Sequence, residues 1–211
     1  MHLETRGVTV LTEVRPFVKL MSSESENILI KPISSLKDLE KELQALYLEA
    51  YGQDYLYAYR DPKRVRRYLR WLLKHAQGGF WVAFDKGKPV AFLALQPDCR
   101  FQGETVPEIH ELVVAPGYQK KGLGQRLMEE AFRFLEALGH KKVALWVGER
   151  NYRAKKFYER LGFKEANHQG AWVRMERPLE SVQASESRSS NLSSTRKASS
   201  TSESSMVSSG V

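Results

Sequence analysis

Two rhythms of apolar residues alternate along the chain between residues 27 and 178. Short unbroken apolar runs read as buried strands, and stretches in which apolar residues recur every three or four positions read as helices. Residues 27–33 form the first strand in this reading, and Pro32 moves it toward a sheet edge because proline has no amide to give a neighbour. Ser34 or Ser35 can cap a helix over residues 36–51, with Leu36, Leu39, Leu43, Leu46 and Tyr47 on its apolar face and Gly52 at its end. Asp61 and Pro62 start a second helix, whose buried stripe is Val65, Tyr68, Leu69, Leu72 and Leu73. Residues 80–84 and 89–95 flank Asp85-Lys86-Gly87-Lys88 as a β-hairpin. Residues 101–105 read as a loop around Gly103, and Val106 opens the next strand.

That strand ends in the apolar run 112–115, closed by Pro116 and Gly117. Gln119, Gly122 and Gly124 follow. A helix then places Leu123, Leu127, Met128, Ala131, Phe132, Leu135 and Leu138 on one face and stops at Gly139. Residues 143–147 are a buried strand, so the unit from 109 to 147 is strand, helix, strand, for which a right-handed parallel crossover is the natural form. Asn151 can cap a last helix through Leu161, closed by Gly162, and residues 163–166 and 171–175 read as a final antiparallel pair.

A strand, a glycine-bearing loop and a helix N-terminus together make an anion site. The first amides of the helix lack internal partners, the helix dipole adds partial positive charge, and glycines let a ligand reach the backbone. Lys120, Lys121 and Arg126 add full charges around the loop. The chemistry this suits is holding a pyrophosphate. Nothing in the chain matches G-x-x-x-x-G-K-[ST], and Leu127 stands where the dinucleotide fingerprint G-x-G-x-x-G needs its third glycine.

Length and composition bound the rest. A chain of 211 residues builds one ordinary domain with flanks. We expect a poorly ordered extension over residues 1–26, a domain over 27–180, and a disordered tail over 181–211, where serine dominates and no apolar period survives. The single cysteine, Cys99, allows no internal disulfide and reads as a passive residue. No apolar run approaches the ~18 residues of a bilayer span, and charges interrupt the N-terminus where a signal peptide needs its apolar core. A cytoplasmic protein with no membrane partner is the expectation. Nearly all of the formal charge of +8 lies within residues 27–180, much of it in the basic helix 60–74. That face is either solvated or turned to an acidic partner, and no zinc-ligand spacing or stacking motif supports a dedicated nucleic-acid site.

Two motifs then converge. Gln119-Lys120-Lys121-Gly122-Leu123-Gly124 resembles [QR]-x-x-G-x-[GA], and residues 151–163, with Asn151, Ala154, Phe157, Tyr158, Gly162 and Phe163, resemble N-x-x-A-x-x-[FL]-Y-x-x-x-G-F. Both are motifs of the GNAT superfamily of acetyl-CoA-dependent N-acetyltransferases, which the chain resembles from about residue 28 to 178. The resemblance implies an α/β (α+β) fold: a mixed central sheet of about six to seven strands, flanked by four helices, around a βαβ acetyl-CoA-binding core. It implies acetyl-CoA as co-substrate, with Leu112, Val113, Val114, Gln119, Lys120, Lys121, Gly122, Leu123, Gly124, Gln125 and Asn151 as its binding residues, and no metal. Asn151 would touch the pantetheine arm, and Tyr158 would sit near the sulfur. The spacing agrees, since seven residues are close to two helical turns and bring both side chains to one face, with small Ala154 between them.

Acetyl transfer by direct attack needs a neutral amine. A lysine-like amine of pKa near 10.4 is only ~0.1% neutral at pH 7.4, whereas an α-amine is roughly a quarter neutral. A base therefore helps most for lysine-like acceptors. Glu111 on the central strand is the first candidate, with Glu108 and His110 as alternatives. His110 and Glu111 point to opposite faces if the strand is regular, and the family's strand often carries a bulge there. The amides of Leu112 and Val114 would polarise the thioester carbonyl, and Tyr158 would protonate the leaving thiolate. The expected function is N-acetylation of a primary amine, on a small molecule or on a protein N-terminus or lysine. The alternatives are a CoA-sensing module without turnover and a nucleic-acid- or ribosome-binding protein led by the basic helix. That helix mildly favours an acidic or peptide acceptor. Trp172 and the tyrosines at 55–59 are candidates for the acceptor groove, and a homodimer stays open.

Overall fold

Pro32 does mark an edge. Strand β1 (Leu29–Pro32) pairs on one side only, antiparallel with β2 (Phe80–Asp85), so the amide that proline lacks costs no second ladder. The computed structural model describes residues 27–52 and 57–180. The expected N-terminal extension, the Ser-rich tail and Tyr55 lie outside the described residues.

Helix α1 (Glu40–Tyr51) begins four residues later than the apolar period suggests. The Ser35 hydroxyl does accept the Lys37 amide at 3.0 Å, but Asp38 takes a positive φ of 66° and breaks the first turn. Asp61 caps α2 (Pro62–Ala76) as expected, accepting the Lys63 amide at 3.0 Å. Lys86 and Gly87 both have positive φ, as a two-residue hairpin turn of the right twist requires, and they join β2 to β3 (Lys88–Gln96). The expected loop at 101–105 is instead a small hairpin, β4 (Arg100–Phe101) and β5 (Glu104–Thr105). Gln102 and Gly103 supply its two positive-φ turn residues.

The central strand β6 (Glu108–Val114) starts after Pro107 rather than at Val106. Helix α3 (Leu123–Ala137) ends as its Gly139 foretells. The His140 amide reaches the Leu135 carbonyl and the Gly139 amide the Glu136 carbonyl, both at 3.0 Å, which closes the last turn in a Schellman arrangement. Strand β7 (Lys142–Gly148), helix α4 (Tyr152–Arg160) and the hairpin β8 (Lys164–Gln169) and β9 (Trp172–Pro178) complete the fold.

Among the described residues, seven strands form one mixed sheet in the order β1-β2-β3-β6-β7-β9-β8, with four α-helices on its two faces. Alternation along β3 divides the core. Phe92 and Ala94 face α1 and α2, with Leu43, Leu46, Val65 and Leu69, while Ala91, Leu93 and Leu95 join Leu127, Met128, Ala131 and Leu135 of α3. Two irregularities at the sheet's centre position the site. Parallel pairing between β6 and β7 covers only Glu108–Ala144 and Ile109–Leu145, after which the strands part. On the other side of β6, Ala94 faces Glu111 and Leu95 faces Ile109, so His110 is the extra residue of a β-bulge.

Candidate active site

Where β6 and β7 separate, the β6 edge from Leu112 onward has no ladder partner on the β7 side. A cleft of ≈ 490 Å³ opens there, with Leu112, Val113 and Val114 on one wall and Leu145, Trp146 and Val147 on the other. Helix α3 starts beside it, on Gly122 with φ 82° and no side-chain cap, which leaves the amides of its first turn pointing outward. Lys120 also takes a positive φ, so the loop bends as an anion-binding concavity does. A side chain at Gly124 would sit 3.5–3.8 Å from Phe157, Val114 and Leu112. The glycine thus keeps the corner between β6, α3 and α4 open. Unpaired strand edge, uncapped helix and bare corner fit a pantetheine arm and pyrophosphate.

The expected cofactor residues divide by what their side chains do. Leu112 and Val114 are half-buried on the cleft wall, and Gln119 lines it, donating to the Val114 carbonyl at 3.0 Å while accepting Arg153 at 2.7 Å. Val113 and Leu123 turn into opposite halves of the core, so only their backbone is available to a ligand. Gln125 spends its side-chain amide on Glu129, at 2.9 Å. Lys120 and Lys121 are exposed on the loop. Arg126 turns away from the loop to the Ile28 carbonyl, at 2.9 Å. Asn151 lines the cleft and caps α4 through its side-chain oxygen, which accepts the Ala154 amide at 3.1 Å.

Glu111 is buried in the same cleft. The Tyr51 hydroxyl donates to it at 2.5 Å, and the Tyr68 hydroxyl lies beside it, 3.4 Å from the His110 carbonyl. Burial pushes its carboxyl up to about 7, although Tyr51, Tyr68 and the Leu112 amide pull in the other direction by bonding the carboxylate. Tyr158, packed between Phe157 and Phe163, faces the same space. Burial first, and then the Glu111 charge, push its hydroxyl well above the usual tyrosine range, so it stays protonated.

The two alternative bases are differently placed. Glu108 is held at 2.6 Å by the fully buried Arg174, which also bonds Glu176 at 3.1 Å and lies 4.0 Å from the Phe101 ring. His110 sits between Gln96 and Glu108, each at 3.3 Å, against the Trp71 ring, and burial lowers its pKa. Cys99 lies near this pair, and burial pushes its thiol up to about 11, away from nucleophilic character.

Sequence reasoning missed the tyrosine cage. Tyr47 and Tyr68 read as core-facing residues of two helices and Tyr51 as the last residue of the first, yet the Tyr51 and Tyr68 hydroxyls lie at Glu111 and the His110 carbonyl, and the Tyr47 hydroxyl accepts the Tyr59 amide at 3.2 Å. The available signal was Tyr47 and Tyr51 four residues apart on an otherwise aliphatic face, since a buried tyrosine needs a partner for its hydroxyl. The acceptor-groove candidates do converge. Tyr57 and Trp172 meet edge-on at 5.2 Å over the cleft, and Tyr57 packs where Gly148 has no side chain.

A mixed sheet split at a parallel pair, with a helix N-terminus at the split, defines an α/β protein with an open cleft between its central strands. The chain belongs to the acetyltransferase (GNAT) family, whose model matches residues 38–163. It is 39% identical over 142 residues to an uncharacterized N-acetyltransferase of Methanocaldococcus jannaschii, a match covering 65% of this chain and 62% of that relative. An uncharacterized N-acetyltransferase of Archaeoglobus fulgidus is 37% identical over 124 residues, covering 58% of this chain and 84% of the relative. A crystal structure from Pyrococcus horikoshii superposes with a TM-score of 0.66 at 35% identity, over 72% of this chain and 99% of that one. The PaiA N-acetyltransferase of Thermoplasma acidophilum, solved with coenzyme A, shares the fold, with a TM-score of 0.60 at 23% identity over 72% and 98% of the two chains.

Proposed function

We propose that the protein transfers the acetyl group of acetyl-CoA to a primary amine, with Glu111 as general base and Tyr158 as general acid. The observation that carries this reading is the pair itself: a buried carboxyl with a pKa near 7 and a protonated tyrosine, both facing one cleft beside an uncapped helix N-terminus. A coenzyme A complex in a protein of the same fold supports the choice of ligand.

Acetyl-CoA, when bound, supplies the activated thioester. The first-turn amides of α3, with Gln119, Lys120, Lys121 and Gly122 before them, hold its phosphates, and Asn151 and the β6 edge hold the pantetheine arm. The acceptor amine enters from the side of Tyr57, Tyr59 and Trp172. Glu111 takes the amine proton as the C–N bond forms, and its pKa near neutrality suits both holding and releasing that proton. The Val114 amide, on the β6 edge without a β7 partner, stabilises the oxyanion, while the Leu112 amide stays on the Glu111 carboxylate. As the C–S bond breaks, the Tyr158 hydroxyl gives its proton to the thiolate.

The test is thiol release from acetyl-CoA across a panel of amines. Turnover should fall about 10²–10⁴-fold in Glu111→Gln and be lost with cofactor binding in Gly124→Glu. Full turnover in Glu111→Gln would remove the base assignment. Absence of turnover with every amine, despite acetyl-CoA binding, would leave a binding module.

A further inference from the structure

Beside the active cleft lies a second concavity of ≈ 500 Å³, lined by Tyr59, Arg64, Arg67, Tyr68 and Trp71. Tyr59 and Tyr68 belong to both. Arg64, Arg67, Tyr68 and Trp71 stand at i, i+3, i+4 and i+7 on α2, so one helix face presents two guanidiniums and two aromatic rings together. Neither arginine has a hydrogen bond or ion pair among the described residues. Arg70, on the same helix, shows the contrast: Glu40 holds it with two bonds, at 2.5 and 2.9 Å. The nearest carboxylate in sequence, Asp61, is occupied in capping the helix. Trp71 and Tyr59 are unusually exposed for such large rings, at 40% and 45%.

Tyr68 links the two spaces. Its hydroxyl is at Glu111 and the His110 carbonyl, while its ring lies between Tyr59, at 5.2 Å, and Trp71, stacked at 6.1 Å. One tyrosine side chain therefore separates a carboxylate, which attracts an amine, from two uncommitted guanidiniums, which attract an acid. Arginine pairs with carboxylates through its fork of donors, and aromatic walls strengthen that by excluding water.

Building on the proposed acetyl transfer, we infer that the acceptor is an amine carrying a carboxylate, seated against Arg64 and Arg67 while its amino group lies at Glu111. The same chemistry comes from two sources: a small amino acid, or a peptide with an acidic residue next to its free amine.

Two matched sets of probes test it. One is 4-aminobutyrate against n-butylamine. The other is a tetrapeptide whose second residue is Glu, Gln or Lys. The expected result is at least a tenfold advantage in kcat/KM for the carboxylated member of one set or both, carried mainly by KM and shrinking as salt rises. A gain confined to the small amines identifies that source, and one confined to the peptides identifies the other. In the double variant Arg64→Gln/Arg67→Gln the advantage should vanish, and in Arg64→Glu/Arg67→Glu the Glu and Lys peptides should exchange rank. Both arginines are exposed, and an unchanged melting shift with acetyl-CoA reports that either variant is folded. Equal kcat/KM for charged and neutral probes, or an advantage that survives both variants, overturns the inference while leaving acetyl transfer standing. Calorimetric binding of the same probes in the presence of CoA separates the converse case. Charge-selective binding without turnover upholds the carboxylate site and removes the transferase reading.

Discussion

Glu111 is where burial and chemistry meet most directly. Its carboxyl lies near 7 in the folded protein, against an ordinary value of 4.5, because the cleft removes it from water. The folded state therefore holds a proton that the unfolded chain has released across that interval. Stability from this group is complete below about pH 4.5 and falls as pH rises through about 7, by about 3 kcal/mol in total. Glu111→Gln cannot ionise, and the glutamine oxygen can still accept the Tyr51 hydroxyl. Its denaturant midpoint should accordingly match the parent at pH 4 and exceed it at pH 8. Activity should show the opposite sign, rising with pH up to about 7 as the base ionises. Tyr51→Phe removes a bond that favours the carboxylate, so the acidic limb of its pH–rate profile should move to higher pH. An unmoved limb would mean that a group other than Glu111 governs it. The sequence makes Glu111 readable because it stands just before the apolar run on the central strand. Its tyrosine partners are not readable, because Tyr51 and Tyr68 arrive from two helices whose approach only packing decides.

At the scale of elements, the start of α3 carries the ligand argument. Gly124 has ordinary contact distances to Phe157, Val114 and Leu112, so a methyl group fits there. Gly124→Ala should raise stability by up to about 1 kcal/mol, since alanine loses less chain entropy on folding. Gly124→Glu adds a negative charge where an anion is to sit, and the melting shift caused by acetyl-CoA should disappear. If both variants kept the parent's shift, the ligand would not lie at this helix. Glycine and proline made most element ends legible: Gly52, Pro62, Gly87, Gly139 and Gly162 each mark a boundary in the folded chain. Departures came where a non-glycine residue took a positive φ. Asp38 delays α1, and Gln102 turns an expected loop into a hairpin. The purpose of that hairpin is visible only in three dimensions, because Phe101 covers the buried Arg174, a residue that reads in sequence as one more charge.

Across the whole molecule, the sheet consists of two halves with little pairing between them. Strands β1, β2, β3 and β6 form one half, β7, β9 and β8 the other, and two residue pairs join β6 to β7. The Arg174–Glu108 bridge, together with the α3 side of the core, fastens the closed end, and the opposite end is the cleft. A ligand wedged between the halves replaces the missing ladder with bonds of its own, so binding should be felt along both strands. At about 100 times its dissociation constant, acetyl-CoA adds about 2.7 kcal/mol of stability, which for a fold of this size raises the melting point by several degrees. Hydrogen exchange localises the effect. Protection should rise on acetyl-CoA addition at Leu112–Val114 of β6, at Leu145–Val147 of β7 and in the first turn of α3, while β1 and β8, at the two sheet edges, change little. NADH and ATP at the same concentration should produce neither the melting shift nor this pattern. Protection spread evenly over the sheet would indicate general stiffening, and protection confined to α3 would place the ligand on the helix end without entering the split. Only the two-strand pattern is expected of acetyl-CoA bound, as proposed, between β6 and β7 where their pairing stops.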